Sequence, residues 1–168
     1  MDLYYATTNK GKVISLTKIL GPHGLNIIQV PMVLPEPRSD DVELIAKDKV
    51  RFAHQKIQKP CVALDAGFYV VSLNGFPKAF VNFVLETIGI EGILKLVEGK
   101  DRSCYFIHCL AYLDSNLSEP KYFSTTIWGQ LAQEPRGTMK EYLWSKLSPV
   151  FIADGQSKTL AEMTQQEY

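Results

Sequence analysis

Apolar residues recur along this chain in two alternating patterns. Short apolar runs bounded by turn residues are typical of strands, whereas apolar residues spaced three and four apart are typical of amphipathic helices. The runs predict strands over residues 3–6, 27–30, 61–64, 68–73, 103–113, 122–128 and 150–153. The helical spacing predicts helices over 10–20, 42–56, 79–88 and 91–97, with a further helix at the end of the chain opened by a Thr159 and Glu162 capping box. This order predicts a mixed α/β fold in a single domain covering residues 1–168.

The predicted third and fourth strands are separated by Asp65-Ala66-Gly67. A carboxylate placed there is expected at an edge of the sheet, where the ligands of α/β proteins usually bind. Asp65 could act as a general base, as a Mg²⁺ ligand, or as a cap for its own turn. The residues by themselves leave these three roles open.

The composition limits the kinds of binding partner and the cellular compartment that we expect for this protein. The 168 residues carry 18 Lys and Arg against 18 Asp and Glu, so no overall field attracts nucleic acid or anionic membranes. No apolar stretch reaches the length of a membrane span, and no secretory leader pattern is present. The three cysteines, Cys61, Cys104 and Cys109, lie inside apolar runs. We expect buried reduced thiols and a cytoplasmic protein.

Two further segments carry candidate phosphate or metal chemistry. Thr7, Asn9, Lys10 and Lys12 lie where the first strand passes into the first helix, and a helix N-terminus with nearby lysines can bind phosphate. The alternative is an ordinary helix capped by Asn9. Glu36 stands between two prolines in an extended loop, which suits a metal ligand, although a solvated loop acid has the same pattern.

These three segments become more informative together, because strand-to-loop junctions of an α/β sheet can face one cleft. Carboxylates that hold Mg²⁺ and lysines that offset phosphate charge are what metal-assisted phosphoryl chemistry requires. No pair of histidines has metal-ligand spacing, and His108 falls in the middle of a predicted strand, so structural roles are expected for the histidines.

Several motifs along nearly the whole chain resemble those of the inosine triphosphate pyrophosphatase family. They are Thr7-x-Asn9-x-x-Lys12, Leu34-Pro35-Glu36, Asp65-Ala66-Gly67-Phe68, Leu73-Asn74-Gly75-Phe76-Pro77, Pro135-Arg136-Gly137, Pro149-Val150-Phe151 and Asp154-Gly155-x-x-Lys158-Thr159-x-Ala161-Glu162-Met163. The resemblance implies an elongated mixed sheet flanked by helices, with two lobes, a nucleotide cleft and a homodimer. It also implies Mg²⁺-dependent hydrolysis of nucleoside triphosphates, including non-standard purine ones, to monophosphate and pyrophosphate.

The same resemblance implies roles for individual residues. Thr7, Asn9, Lys10, Lys12 and Phe151 would contact the phosphates or the nucleotide. Glu36 and Asp65 would hold Mg²⁺, and Asp65 would also be the catalytic residue that activates water.

The chain departs from the family pattern at several positions. Leu64 replaces the first of two adjacent acids, Ser15 replaces an acid of the first helix, Lys78 replaces a glycine, and Ser148 replaces an aspartate that contacts the base. The sequence ends at Tyr168, before the Ser-His-Arg segment that recognises the purine. Leu64 is expected to affect the metal and the water directly, and the C-terminal difference to weaken base preference.

The leading hypothesis is therefore a divergent pyrophosphatase of this family. The alternatives are a catalytically impaired homologue that binds a nucleotide or a protein, and an enzyme of the same fold acting on another phosphorylated ligand.

Overall fold

The computed structural model describes residues 1–168 and contains a seven-stranded mixed sheet with four helices. The strands are Asp2–Ala6 (β1), Asn26–Val30 (β2), Cys61–Val70 (β3), Pro77–Lys78 (β4), Ser103–Leu113 (β5), Lys121–Leu131 (β6) and Phe151–Ala153 (β7). The helices are Lys10–Leu20 (α1), Val42–Ile57 (α2), Val81–Thr87 (α3) and Gly89–Leu96 (α4). Strand order is β2-β1-β3-β5-β6-β7, and the short β4 pairs with β3. The mixed α/β prediction is confirmed.

The chain divides into two compact units. The first comprises residues 1–65 and 108–125, and the second comprises residues 66–107 and 126–168. None of the four helices combines the length and the apolar character that a bilayer span needs.

Two helices of the first unit begin as their sequences predict. Asn9 caps α1 by accepting a hydrogen bond from the backbone N–H of Lys12 at 3.2 Å. Asp41 caps α2 by accepting from the N–H groups of Glu43 and Leu44 at 2.9 and 3.2 Å. Each cap satisfies donors that the first helical turn leaves unpaired, which fixes where the helix starts.

The predicted break between a third and a fourth strand is wrong. Residues 61–70 form one continuous strand, β3, with Asp65 in its middle and a short 3₁₀ turn after Val70. The Asp65 carboxylate bonds to a side chain of α2 and not to its own backbone, so it does not make a turn. Gly67 stays extended, and a Cβ there would lie 2.7 Å from Cε2 of Tyr69, so the strand needs glycine for close packing.

Successive side chains of β3 point to opposite faces of the sheet, and this places two neighbouring residues of the first unit on different faces. Leu64 packs on a cluster formed by Leu3, Tyr5 and Val62, together with residues of α1. Asp65 points to the opposite face, where it meets α2. The adjacent residues Leu64 and Asp65 therefore contact helices on opposite faces of the sheet.

The second unit is built around aromatic packing. The rings of Phe68, Phe106 and Phe151 form its centre. The centroid of the Phe106 ring lies 4.8 Å from the ring centroids of both Phe68 and Phe151. The predicted Thr159 and Glu162 capping box is present, but the helix that it opens is a single 3₁₀ turn, Leu160–Glu162. All three cysteines are buried and reduced, as expected.

Candidate functional site

Two of the predicted site carboxylates meet at one lysine in the first unit. The Lys49 Nζ atom donates to Oδ1 of Asp65 at 2.5 Å and to Oε1 of Glu36 at 2.7 Å. The Lys49 and Asp65 side chains are 8% and 11% exposed, whereas that of Glu36 is 61% exposed. The cluster therefore consists of a buried ion pair between Lys49 and Asp65 and a solvent-exposed carboxylate, that of Glu36.

Lys49 was missed by the sequence interpretation, although its position carries a signal. It lies in the buried stripe of α2, which also contains Val42, Ile45, Ala46, Val50 and Ala53. Lysine is rarely buried without a charged partner, so a lysine at helical spacing among apolar residues predicts a buried acid opposite it. The signal was available, but the sequence does not say which acid is the partner.

The start of α1 brings a second lysine to β3. The Lys12 Nζ atom donates to the backbone oxygen of Leu64 at 3.3 Å, and Lys12 is half-buried. Thr7 shapes the turn before the helix, because its Oγ1 accepts from the N–H of Asn9 at 3.1 Å. Lys10 is exposed at the surface. Lys12 therefore contacts the residue that precedes Asp65 in β3, whereas Lys10 is exposed.

Burial and charge shift the pKa values of this cluster. Burial, followed by repulsion from Lys49, lowers the pKa of Lys12 to about 8. Burial would lower the pKa of Lys49 too, but Asp65 and Glu36 outweigh it and the pKa is raised, so Lys49 stays protonated. Burial raises the pKa of Asp65 in spite of Lys49, which makes the carboxylate a better proton acceptor than a solvated one.

His108 lies on β5 of the same unit and is uncharged at neutral pH. Burial, assisted by the charge of Lys12, lowers its pKa to about 4. It therefore adds no further positive charge to the cluster.

Leu64 lies on the face of β3 opposite the Asp65 carboxylate. Its side chain packs on the α1 face of β3, and only its backbone oxygen contacts a site residue, Lys12. An acid at position 64 would project away from the face that holds Asp65. The replacement therefore leaves the contacts among Glu36, Lys49 and Asp65 intact, and the expected effect of Leu64 on the metal and the water stays a prediction.

Three other replaced or predicted residues lie within the packed structure, and none of them takes part in the contacts among Glu36, Lys49 and Asp65. The Ser15 Oγ atom is buried in α1 without a hydrogen-bond partner. In the second unit, Ser148 Oγ donates to the backbone oxygen of Ser145 at 2.7 Å. Phe151 is 1% exposed and its ring packs in the aromatic core, so its predicted contact with a nucleotide stays a prediction that ring burial does not favour.

The donor atoms of this cluster suit a hard divalent cation. Glu36 and Asp65 supply carboxylate oxygens that already approach a single cationic nitrogen. No group of three His, Cys, Asp or Glu side chains converges anywhere in the chain. Mg²⁺ usually takes only one or two carboxylates and completes its shell with water and substrate phosphate, so the two carboxylates fit it.

Comparisons with known proteins give consistent matches over almost the whole chain. A family model described as the Ham1 family matches residues 3–168. A dITP/XTP pyrophosphatase from Pyrococcus horikoshii is 36% identical over 99% of this chain and 87% of its own length. One from Methanopyrus kandleri is 35% identical with the same coverage.

Solved structures agree at the level of the fold. The Ham1 protein of Staphylococcus aureus superposes with a TM-score of 0.78 at 24% identity, covering 99% of this chain and 88% of that one. A HAM1 protein from Coxiella burnetii gives a TM-score of 0.79 at 24% identity, covering 99% and 89%.

Proposed function

The chain belongs to the Ham1 family, and we propose that it is a nucleoside triphosphate pyrophosphatase. In the proposed reaction water attacks the α-phosphorus, and the nucleoside triphosphate is split into nucleoside monophosphate and pyrophosphate. The observation that carries this proposal is the convergence of Glu36 and Asp65 on Lys49. Lys12 contacts the residue next to Asp65 in the same strand.

Asp65 is the proposed catalytic base. In the metal-free structure Lys49 holds the carboxylate through Oδ1, and Oδ2 is the oxygen proposed to accept the proton of the attacking water. Burial keeps the carboxylate poorly solvated, and a partly desolvated base of raised pKa takes a proton more readily at neutral pH. Lys49 positions Asp65 in this way before the metal binds.

The start of α1 is the proposed phosphate-binding segment. Lys12 supplies a positive charge beside β3, and Thr7 and Asn9 shape the turn that leads into the helix. The positive end of the helix dipole and the first-turn N–H groups favour a phosphate at the same place. Lys10 adds a surface charge that would attract the triphosphate.

Mg²⁺ is the proposed cofactor, and Glu36 and Asp65 would hold it. When bound, it neutralises phosphate charge and stabilises the charge that develops on the leaving pyrophosphate. The Lys12 ammonium group beside β3 would perform part of this neutralisation from the protein side.

The names of the relatives guide the choice of substrate. The similar proteins of Pyrococcus horikoshii and Methanopyrus kandleri are named dITP/XTP pyrophosphatases, so we propose deaminated purine nucleoside triphosphates for this chain. The test is pyrophosphate release from dITP, XTP, ITP, ATP and GTP in the presence of Mg²⁺. We expect pyrophosphate with the matching monophosphate, and faster release from dITP and XTP than from ATP. Release of orthophosphate, or no turnover of any triphosphate, would contradict the proposal.

The pKa of Lys12 makes phosphate binding sensitive to alkaline pH. Since that pKa is about 8, Lys12 loses its charge as the pH rises through this value, and the affinity for pyrophosphate should fall. Lys12→Arg keeps its charge over the same range and should remove the inflection. Calorimetric titration of both proteins with pyrophosphate from neutral to alkaline pH measures the difference. Because pyrophosphate also titrates, only an inflection that is absent from Lys12→Arg counts, and identical profiles would exclude a role for Lys12.

A homodimer and a cytoplasmic location belong to the same proposal and stay predictions. The mass in solution, measured by light scattering on a size-exclusion column, tests the first of them.

A further inference from the structure

We propose that the Lys49 ammonium holds the cation position between Glu36 and Asp65, so that a divalent cation binds only by displacing it. The inference rests on the proposed function, because Mg²⁺ is the cofactor proposed there. It adds that the chain carries its own competitor for the metal.

Lys49 lies between the two carboxylates. Its Nζ atom is 2.5 Å from Oδ1 of Asp65 and 2.7 Å from Oε1 of Glu36, so it occupies the position from which a cation would bridge these two oxygens. Mg²⁺ coordinates oxygen at roughly 2.0–2.1 Å, which is closer than an ammonium can approach. The metal and the Lys49 head group therefore cannot share the space between the two carboxylates.

The charges of the cluster also oppose a metal bound beside Lys49. Two carboxylates and the two ammonium groups of Lys49 and Lys12 already balance within this cluster. A divalent cation added to the balanced set would leave two uncompensated positive charges in a partly buried place, which is costly. Movement of the Lys49 head group away from the carboxylates lowers that cost, and the arrival of an anionic triphosphate removes the rest.

The three side chains of the cluster differ in their freedom to move. Glu36 lies in the loop before α2, and its side chain is 61% exposed, so it can swing without opening the core. Lysine has a long flexible stem and an ammonium that is not tied to one geometry. Asp65 is held within β3, so it stays in place while Lys49 leaves.

Amine labelling of the wild-type protein tests the displacement directly. Lys49 should react slowly with an amine reagent in the absence of metal, because it is buried and ion-paired. Millimolar Mg²⁺ with pyrophosphate should increase its modification, read by mass spectrometry after digestion, relative to exposed Lys59. The same pyrophosphate without metal is the control. Unchanged or decreased labelling of Lys49 under conditions where calorimetry detects metal binding would overturn the proposal, and so would the absence of any metal binding.

Variants of Lys49 test the competition. Lys49→Met removes the charge at similar length, and Lys49→Arg keeps it. We expect Lys49→Met to bind Mn²⁺ on the order of tenfold tighter than wild type, as removal of one charge a few ångströms away implies. Lys49→Arg should bind as wild type does, and the double variant Lys49→Met with Glu36→Gln should lose the gain. Equal or weaker binding by Lys49→Met would overturn the proposal.

The labelling experiment needs no variant, so a Lys49→Met protein that fails to fold does not block the test. The experiments distinguish failure of the proposed pyrophosphatase activity from failure of the proposed displacement of Lys49. Turnover of dITP with no metal-dependent change at Lys49 would reject the displacement and keep the activity. A metal-dependent change at Lys49 without turnover of any triphosphate would reject the activity and keep the displacement.

Discussion

Asp65→Asn is expected to lower the rate of pyrophosphate release by about 10²–10⁴-fold, the usual contribution of a positioned general base. The amide keeps the shape of the carboxylate, and its oxygen can still accept from Lys49, so the buried contact that anchors β3 to α2 survives in part. It cannot accept a proton from water at neutral pH. The loss should therefore appear mainly in kcat, measured by coupled detection of pyrophosphate over a range of substrate concentrations.

Leu64→Met is the matched control for this variant. It changes the neighbouring residue of the same strand, but that residue packs on the α1 face and not beside Lys49. We expect its kcat to stay within a few-fold of wild type, as volume-conserving changes of apolar residues usually cost little. A Leu64→Met protein as impaired as Asp65→Asn would show that the assay reports strand packing. An active Asp65→Asn enzyme would remove Asp65 from the chemistry.

Most of the architecture follows from local signals in the sequence. The Asn9 and Asp41 caps mark the starts of α1 and α2, because each supplies an oxygen to orphan N–H groups of the first turn. Motifs such as Leu34-Pro35-Glu36 indicated the family, and the matches to Ham1 proteins confirm that assignment. These features depend on a few adjacent residues, so they are readable without knowing what packs on them.

The features that escaped prediction depend on contacts between distant segments. Asp65-Ala66-Gly67 has the composition of a turn, but the ion pair with Lys49 and the close approach of Tyr69 to Gly67 keep it extended. Once the strand is continuous, alternation sends Leu64 and Asp65 to opposite faces. The effect of Leu64 on the metal and the water stays a prediction, but the Leu64 side chain does not contact the groups that hold Asp65.

Lys49→Met is expected to destabilise the metal-free protein at neutral pH by roughly 3–5 kcal/mol, because it leaves a buried carboxylate without its partner. Asp65 is buried at the α2 face and cannot recover solvation without opening the helix from the sheet. Glu36 loses the same partner, but it is mostly exposed and should contribute little. Urea unfolding in the presence of a chelator measures the free energy of unfolding.

The pH dependence of this loss separates charge from packing. Burial already raises the pKa of Asp65, and without Lys49 it rises further above the value in the unfolded chain. A carboxyl group whose pKa is raised by folding carries its full penalty above the folded-state pKa, and the penalty shrinks as the pH falls below that value and is gone below the pKa of the unfolded chain. The deficit of Lys49→Met should therefore shrink at mildly acid pH. Lys49→Met with Asp65→Asn should show no such recovery, since no charge is buried. A deficit that is equal at both pH values would mean that Lys49 stabilises the fold through the packing of its stem.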